Sequence, residues 1–106
     1  MTQTIDIDTF AARHADGAFV IDVREPAEYA GGHVPGAKLT PMSRIWAYSA
    51  DLPRDLPVYV ICQSGNRSRS MADLLAAQGV QSVSVLGGTS AWTGSGRPVV
   101  TGSRES

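Results

Sequence analysis

The sequence predicts a right-handed α/β domain built on a parallel sheet, and three observations support that fold class. Residues 18–22 and 58–61 are short runs of β-branched and aromatic apolar residues, the composition of strands buried on both faces. Segments with apolar residues at helical spacing follow these runs, so strands and helices alternate along the chain. The 106 residues, 42% of them hydrophobic and 18% charged, suffice for one core but not for two.

The amino-terminal elements are indicated by alternation and by capping residues. Residues 4–7 alternate like a short strand, and Asp8 can cap a helix that ends by Gly17. Residues 18–22 then form the next strand. Pro26 suits the first position of a short helix that a pair of glycines terminates.

The next helix is predicted to begin at Thr40, which precedes a proline in the pattern of a helix cap. Ile45 and Trp46 contribute to its apolar face. We expect Trp46 and Tyr48 to lie in the core, because aromatic side chains dominate cores. Arg44 lies on a different side of this helix from Ile45, and whether it reaches the rim of a pocket stays open.

The segment that holds the only cysteine has the pattern of a strand, a loop and a helix. The strand at residues 58–61 follows a proline and ends at Cys62. After the polar turn QSGN, apolar residues recur at helical spacing up to Gly79, which is well placed as a C-terminal stop. A fifth strand at residues 80–86 and a short helix at residues 89–92 complete the alternation.

Cys62 lies between the end of a strand and the polar start of a helix. N–H groups in the first turn of a helix have no intrahelical partners, and together with the macrodipole they favour an anion. A cysteine there is shifted toward its nucleophilic thiolate form, and Arg67 and Arg69 add positive charge nearby. The alternative is a small hydrophobic residue that merely ends the strand. The predicted anion-binding loop consists of Gln63, Ser64, Gly65, Asn66, Arg67 and Ser68.

Asp22 and Arg24 lie just past the end of the strand at residues 18–22, on the same edge of the sheet as Cys62, where parallel sheets place ligands. Two interpretations remain for this charged pair. The two side chains pair and hold neighbouring loops, or Asp22 orients Arg24 so that Arg24 attracts an anion. His33 is not expected to be a general base, because it lies in the Gly/Pro-rich turn GGHVPGA.

Composition and charge argue against several classes of protein. The net charge is −1, so no bulk basic field indicates nucleic acid or a membrane surface as a partner. One cysteine cannot form an internal disulfide, and two histidines with one cysteine offer no recognisable metal site. The amino terminus lacks the pattern of a signal peptide, and no window approaches the ~20 apolar residues of a membrane span. We therefore expect a metal-free cytoplasmic protein without a membrane segment.

Three separated motifs carry a family resemblance. The loop CQSGNRS at residues 62–68 resembles the active-site loop of rhodaneses, the thiosulfate sulfurtransferase family. Upstream, VIDVREPAEYAGGHVPGA at residues 20–37 is similar to the family's Asp-x-Arg, Glu-Tyr and Gly-His-Ile-Pro-Gly-Ala pattern. Downstream, VLGGTSAW at residues 85–92 resembles the Gly-Gly-x-x-x-Trp segment of the family. Three motifs in the same order as in the family are far more specific than a single short motif.

The resemblance implies both a fold and an activity. The fold would be a three-layer rhodanese-like domain over residues 1–100, with a central parallel sheet of about five strands and helices on both faces. Residues 101–106 are small and polar, and we expect a disordered tail. The activity would be transfer of a sulfane sulfur through a Cys62 persulfide, without a cofactor. The donor would be a small anion such as thiosulfate, and the acceptor cyanide in an assay or a thiol or protein in the cell.

Other functions compete with sulfur transfer. Dual-specificity phosphatases and some arsenate reductases share the fold but use a C-x5-R loop, whereas Cys62 and Arg67 form C-x4-R. A thiol–disulfide oxidoreductase would need a second cysteine, and the chain has none. A non-catalytic rhodanese-like binding or regulatory module remains the main alternative, although such modules commonly lack the cysteine.

Overall fold

The computed structural model describes residues 2–106 and confirms the predicted α/β fold. Its strands form one sheet of five in the order β1-β5-β4-β2-β3, and each adjacent pair is parallel. The strands are β1 (Gln3–Ile5), β2 (Phe19–Asp22), β3 (Lys38–Leu39), β4 (Val58–Ile61) and β5 (Ser82–Val85).

Helices cover both faces of the sheet. They are α1 (Ile7–Ala15), α2 (Pro26–Ala30), α3 (Ile45–Ser49), α4 (Asn66–Ala77) and α5 (Gly88–Gly94), with a 3₁₀ turn (Met42–Arg44) before α3. Ile45 of α3 and Leu75 of α4 belong to the core cluster on one face. Phe10 of α1 and Trp92 of α5 belong to the cluster on the other face, as expected for a three-layer domain.

Strand β4 is the centre of the sheet and is buried along its whole length. Successive side chains of a strand point to opposite faces, so Val58 and Val60 join one core cluster while Tyr59 and Ile61 join the other. Burial on both faces explains the uninterrupted apolar run in the sequence. The carboxyl ends of β4 and β2 are neighbours, because Asp22 pairs in register with Ile61.

Two predicted helix caps differ from the structure. Helix α1 is capped by Asp6, not Asp8, since the Asp6 carboxylate accepts a hydrogen bond from the Thr9 N–H at 2.7 Å. A capping side chain must lie just outside the first turn, and Asp8 is already inside that turn. The Thr40 hydroxyl donates to the Lys38 carbonyl at 3.1 Å and caps no helix, because a 3₁₀ turn follows instead.

The prediction that Trp46 and Tyr48 lie in the core is wrong. Their exposed fractions are 59% and 38%. Helix α3 has little more than one turn, and it buries Ile45 and Ser49, which are four residues apart on one face. The intervening aromatic residues therefore point toward solvent.

The polar tail, residues 101–106, contacts the rest of the domain in the structure, and its disorder stays a prediction. The Gly102 N–H donates to the Ala30 carbonyl at 2.8 Å, and the Gly36 N–H donates to the Glu105 carbonyl at 2.7 Å. Lys38 and Glu105 form an exposed ion pair at 3.1 Å. The division of the chain at residue 100 stays a prediction. Within residues 2–106, no helix has the length and apolar character needed to cross a membrane.

Candidate active site

Cys62 directly follows β4 and is only 1% exposed. The chain turns at Gly65, whose φ of +106° lies in the left-handed region that favours glycine, and α4 begins at the next residue. A Cβ at Gly65 would approach the Gly87 nitrogen to 3.2 Å. This turn places the Gly65 N–H 3.1 Å from the Cys62 sulfur. The loop thus curls around the sulfur atom.

Two buried hydroxyl groups lie behind the Cys62 sulfur. The Ser68 Oγ is 3.5 Å from the Cys62 Sγ and 2.8 Å from the Ser84 Oγ. Both serines are fully buried. Ser84 belongs to β5, so this row of polar atoms connects the cysteine loop to the neighbouring strand.

Burial and hydrogen bonding act on the Cys62 thiol in opposite directions. Burial raises its pKa, because it penalises the charged form. Hydrogen bonds from the Ser68 hydroxyl and from the N–H groups of Ser68, Gly65 and Ser64 lower it. The hydrogen bonds prevail, and the pKa of Cys62 lies below its usual value. The site therefore favours a nucleophilic thiolate.

Asp22 and Arg24 form a buried ion pair beside the loop. The Arg24 Nε and Nη2 donate to the Asp22 carboxylate at 3.0 and 2.9 Å, and the Arg24 side chain is only 3% exposed. The same guanidinium donates to the Gln63 Oε1 at 3.0 Å and to the Gly32 carbonyl at 2.9 Å. Asp22 thus orients Arg24, and Arg24 connects the cysteine loop with the loop after α2.

Arg67 makes a contact that the sequence did not indicate. Its Nη1 and Nη2 donate to the Oε1 and Oε2 of Glu28 at 2.7 and 2.8 Å. This two-pronged bond from Arg67 lowers the pKa of Glu28 to about 2 and raises the pKa of Arg67. Glu28 lies 39 residues away in α2, so no local pattern connects the two side chains.

A pocket of about 340 Å³ lies beside the cysteine loop. It is lined by Arg24, Ala27, Glu28, Gly31, Gly32, Gln63, Thr89, Thr93 and Val99. The Gln63 side chain is held at this pocket between Arg24 and Ser90, whose Oγ accepts from the Gln63 Nε2 at 2.8 Å. A larger cavity of about 570 Å³ lies near Phe19 and Pro57, at the amino ends of β2 and β4 and thus at the opposite edge of the sheet from Cys62.

The remaining candidate residues lie outside the sulfur's surroundings or have other partners. Arg44, Asn66 and Arg69 are exposed. The ring nitrogens of the buried His33 are bonded to the carbonyls of Tyr29 at 2.8 Å and Arg104 at 2.6 Å, which agrees with a turn histidine. Within residues 2–106, no three His, Cys, Asp or Glu side chains cluster as metal ligands.

The fold and the site together define a class of protein: an α/β domain with a buried, thiolate-favouring cysteine at the carboxyl end of its central parallel strand. Residues 6–95 match the family described as the Rhodanese-like domain. The chain therefore belongs to the rhodanese family, as its three motifs predicted.

Relatives and solved structures agree with this assignment. A protein of Allochromatium vinosum named "Sulfurtransferase" is 36% identical over 94% of this chain and 96% of its own length. The "Thiosulfate sulfurtransferase GlpE" of Pseudomonas entomophila is 38% identical over 76% of this chain and 75% of its own. The crystal structure of a rhodanese-related protein from Thermoplasma volcanium superimposes with a TM-score of 0.86 and 33% identity, covering 92% of this chain and 97% of that one. The family and the sulfurtransferase names of these relatives support a rhodanese-type transferase.

Proposed function

We propose that this protein transfers a sulfane sulfur from a small anionic donor such as thiosulfate to a thiophilic acceptor, through a persulfide on Cys62. The observation that carries this proposal is the Cys62 sulfur itself, buried yet surrounded by N–H and hydroxyl donors that lower its pKa. A reducing compartment such as the cytoplasm suits the reaction, because a lone thiol stays reduced there.

In the first half-reaction, the Cys62 thiolate attacks the outer sulfur of thiosulfate. A bond forms between the two sulfur atoms, the S–S bond of the donor breaks, and sulfite leaves with the bonding electron pair. The charge of the attacking thiolate reappears on the outer sulfur of the persulfide, so no proton has to move. Hydrogen-bond donors that stay fixed around the sulfur anion suffice for this step, and no histidine base is required.

In the second half-reaction, the acceptor attacks the outer sulfur of the persulfide. Cyanide in an assay would leave as thiocyanate, and a thiol or protein in the cell would leave as a persulfide. The leaving group is the Cys62 thiolate, which the Gly65 N–H and the Ser68 hydroxyl stabilise as they did before the reaction. The same hydrogen-bond donors thus serve both half-reactions.

The proposal is tested by the intact mass of the reduced protein after incubation with excess thiosulfate and removal of the donor. We expect a species one sulfur atom heavier, which disappears when cyanide is added and thiocyanate is released. The Cys62→Ser variant should stay folded and gain no mass, because a hydroxyl is a far poorer nucleophile. If neither thiosulfate nor any other sulfur donor adds mass to the wild-type protein, the proposal fails and a binding module becomes the better interpretation.

A further inference from the structure

The charges around the pocket beside the cysteine loop are balanced. Two cations, Arg24 and Arg67, are each paired with a carboxylate, Asp22 at 2.9 Å and Glu28 at 2.7 Å. The Asp22–Arg24 pair is buried, whereas the side chains of Arg67 and Glu28 are each about one-third exposed. A dianionic donor therefore meets no unbalanced positive charge from these four side chains.

Glu28, together with Arg24, contributes to the charge that the pocket presents. Glu28 is one of the residues that line the pocket, and Arg67 is not. Both Nη atoms of Arg67 are engaged by the two carboxylate oxygens, and the Glu28 carboxylate is fixed in turn by the Glu25 N–H at 3.1 Å. Since the pKa of Glu28 is about 2, this carboxylate stays charged at any ordinary assay pH.

We propose that Glu28 is a specificity-determining residue, whose carboxylate neutralises Arg67 and removes the advantage that an unpaired Arg67 would give dianionic sulfane-sulfur donors over monoanionic ones. This inference rests on the proposed sulfur transfer and deepens it by naming the donor class. An unpaired Arg67 would attract a dianion about twice as strongly as a monoanion in the same position, because Coulomb energy scales with charge. With Arg67 neutralised by Glu28, monoanionic donors such as organic thiosulfonates and small persulfides compete better with dianions than they would at an unpaired Arg67.

The test compares two donors that leave the same persulfide on Cys62. Thiosulfate is a dianion and releases sulfite, whereas the methanethiosulfonate anion is a monoanion and releases methanesulfinate. The measured quantity is the ratio of kcat/KM for persulfide formation from thiosulfate to that from methanethiosulfonate. In Glu28→Gln we expect this ratio to rise about three- to tenfold at low salt, and the rise to shrink at high salt.

Three further variants separate charge from structure. Glu25→Gln removes one negative charge from the start of the same helix without touching Arg67, and it should leave the ratio nearly unchanged. Arg67→Gln leaves Glu28 unbalanced, so the ratio should fall. The double variant Glu28→Gln with Arg67→Gln restores the balance and should return the ratio to the wild-type value.

The outcomes distinguish this inference from the proposed function. Equal changes for both donors in Glu28→Gln and in Arg67→Gln would mean that the pair is only structural, and the inference would be overturned while sulfur transfer stood. If Glu28→Gln does not fold, the direction of change in Arg67→Gln decides the question. A wild-type protein that forms no persulfide from either donor would overturn both.

Discussion

At the scale of single residues, neither histidine is hydrogen-bonded to Cys62 within residues 2–106, and the thiol depends on hydrogen-bond donors. The two ring nitrogens of His33 are taken by backbone carbonyls, so this histidine has no nitrogen left for the sulfur. The Ser68 hydroxyl has one proton and lies near three acceptors, the Cys62 Sγ, the Gly65 carbonyl and the Ser84 Oγ. When Ser84 donates to Ser68, the Ser68 proton is left to the sulfur and the Gly65 carbonyl.

We expect Ser68→Ala to raise the pKa of Cys62, because the hydrogen bond from this hydroxyl favours the thiolate. A thiol with a higher pKa has a smaller thiolate fraction near neutral pH. The rate of persulfide formation at that pH should therefore fall about three- to tenfold. The whole pH–rate profile should move to higher pH, and Ser84→Ala should move it less in the same direction.

The ultraviolet absorbance of the thiolate, titrated against pH, measures this pKa without catalysis. Ser90→Ala is the matched control, because Ser90 contacts Gln63 and not the sulfur. Superimposable titrations of Ser68→Ala and the wild type would show that the hydroxyl does not act on the thiol.

At the scale of elements, the turn from β5 into α5 holds the backbone of the cysteine loop. The N–H groups of Thr89 and Ser90 donate to the carbonyls of Cys62 and Gln63 at 2.8 and 3.0 Å. Gly88 has a φ of +56°, and a Cβ there would come within 2.4 Å of the Cys62 carbonyl oxygen. The paired glycines of VLGGTSAW thus allow two loops to touch along their backbones.

Gly88→Ala should therefore push the cysteine loop away from its present position. We expect a loss of about 2–4 kcal/mol in the free energy of unfolding, from overpacking and an unfavourable φ, and slower persulfide formation by the folded fraction. Chemical denaturation and single-turnover kinetics measure the two effects.

Gly96→Ala is the matched control for Gly88→Ala, because Gly96 has a similar φ of +80° and nothing within 4 Å of the added Cβ. The difference between the two variants isolates the contact with the cysteine loop from the cost of the positive φ. Equal losses in both would contradict the close approach of the two loops.

At the scale of the whole molecule, residues 101–106 pack against the domain beside the edge strand β3. The carbonyl oxygen of Arg104 lies 2.6 Å from the His33 Nε2 and accepts a hydrogen bond when that nitrogen carries the proton. The carbonyl of Glu105 accepts from Gly36, and its carboxylate reaches Lys38 on β3. Strand β3 is an edge of the sheet, and a charged, covered edge resists pairing with another chain.

Deleting residues 101–106 should lower the free energy of unfolding by about 1–2 kcal/mol, because the buried His33 loses its Arg104 partner and the exposed Gly36 loses its Glu105 partner. Thermal denaturation measures this loss as a lower Tm. Glu105→Gln is the control, since it removes only an exposed ion pair worth less than about 1 kcal/mol. An unchanged Tm after the deletion would support the disordered tail that composition predicts.

The sequence by itself determined the alternation of strands and helices, the cysteine loop and the family. These features are local: a buried strand needs an apolar run such as residues 58–61, and a tight turn needs glycine at residue 65, so the pattern is visible within a few residues. The first position of Pro26 in α2 was predictable for the same reason.

Only the tertiary structure decided which polar groups meet. Glu28 and Arg67 are 39 residues apart, and Ser68 and Ser84 are 16 apart, so each pair exists only because the sheet order brings β2, β4 and β5 together. The same holds for the exposure of Trp46, which depends on how little of the short helix α3 the core covers. Hydrophobic periodicity records which face of an element is buried, but hydrogen bonds and ion pairs depend on distances of a few ångströms between distant segments.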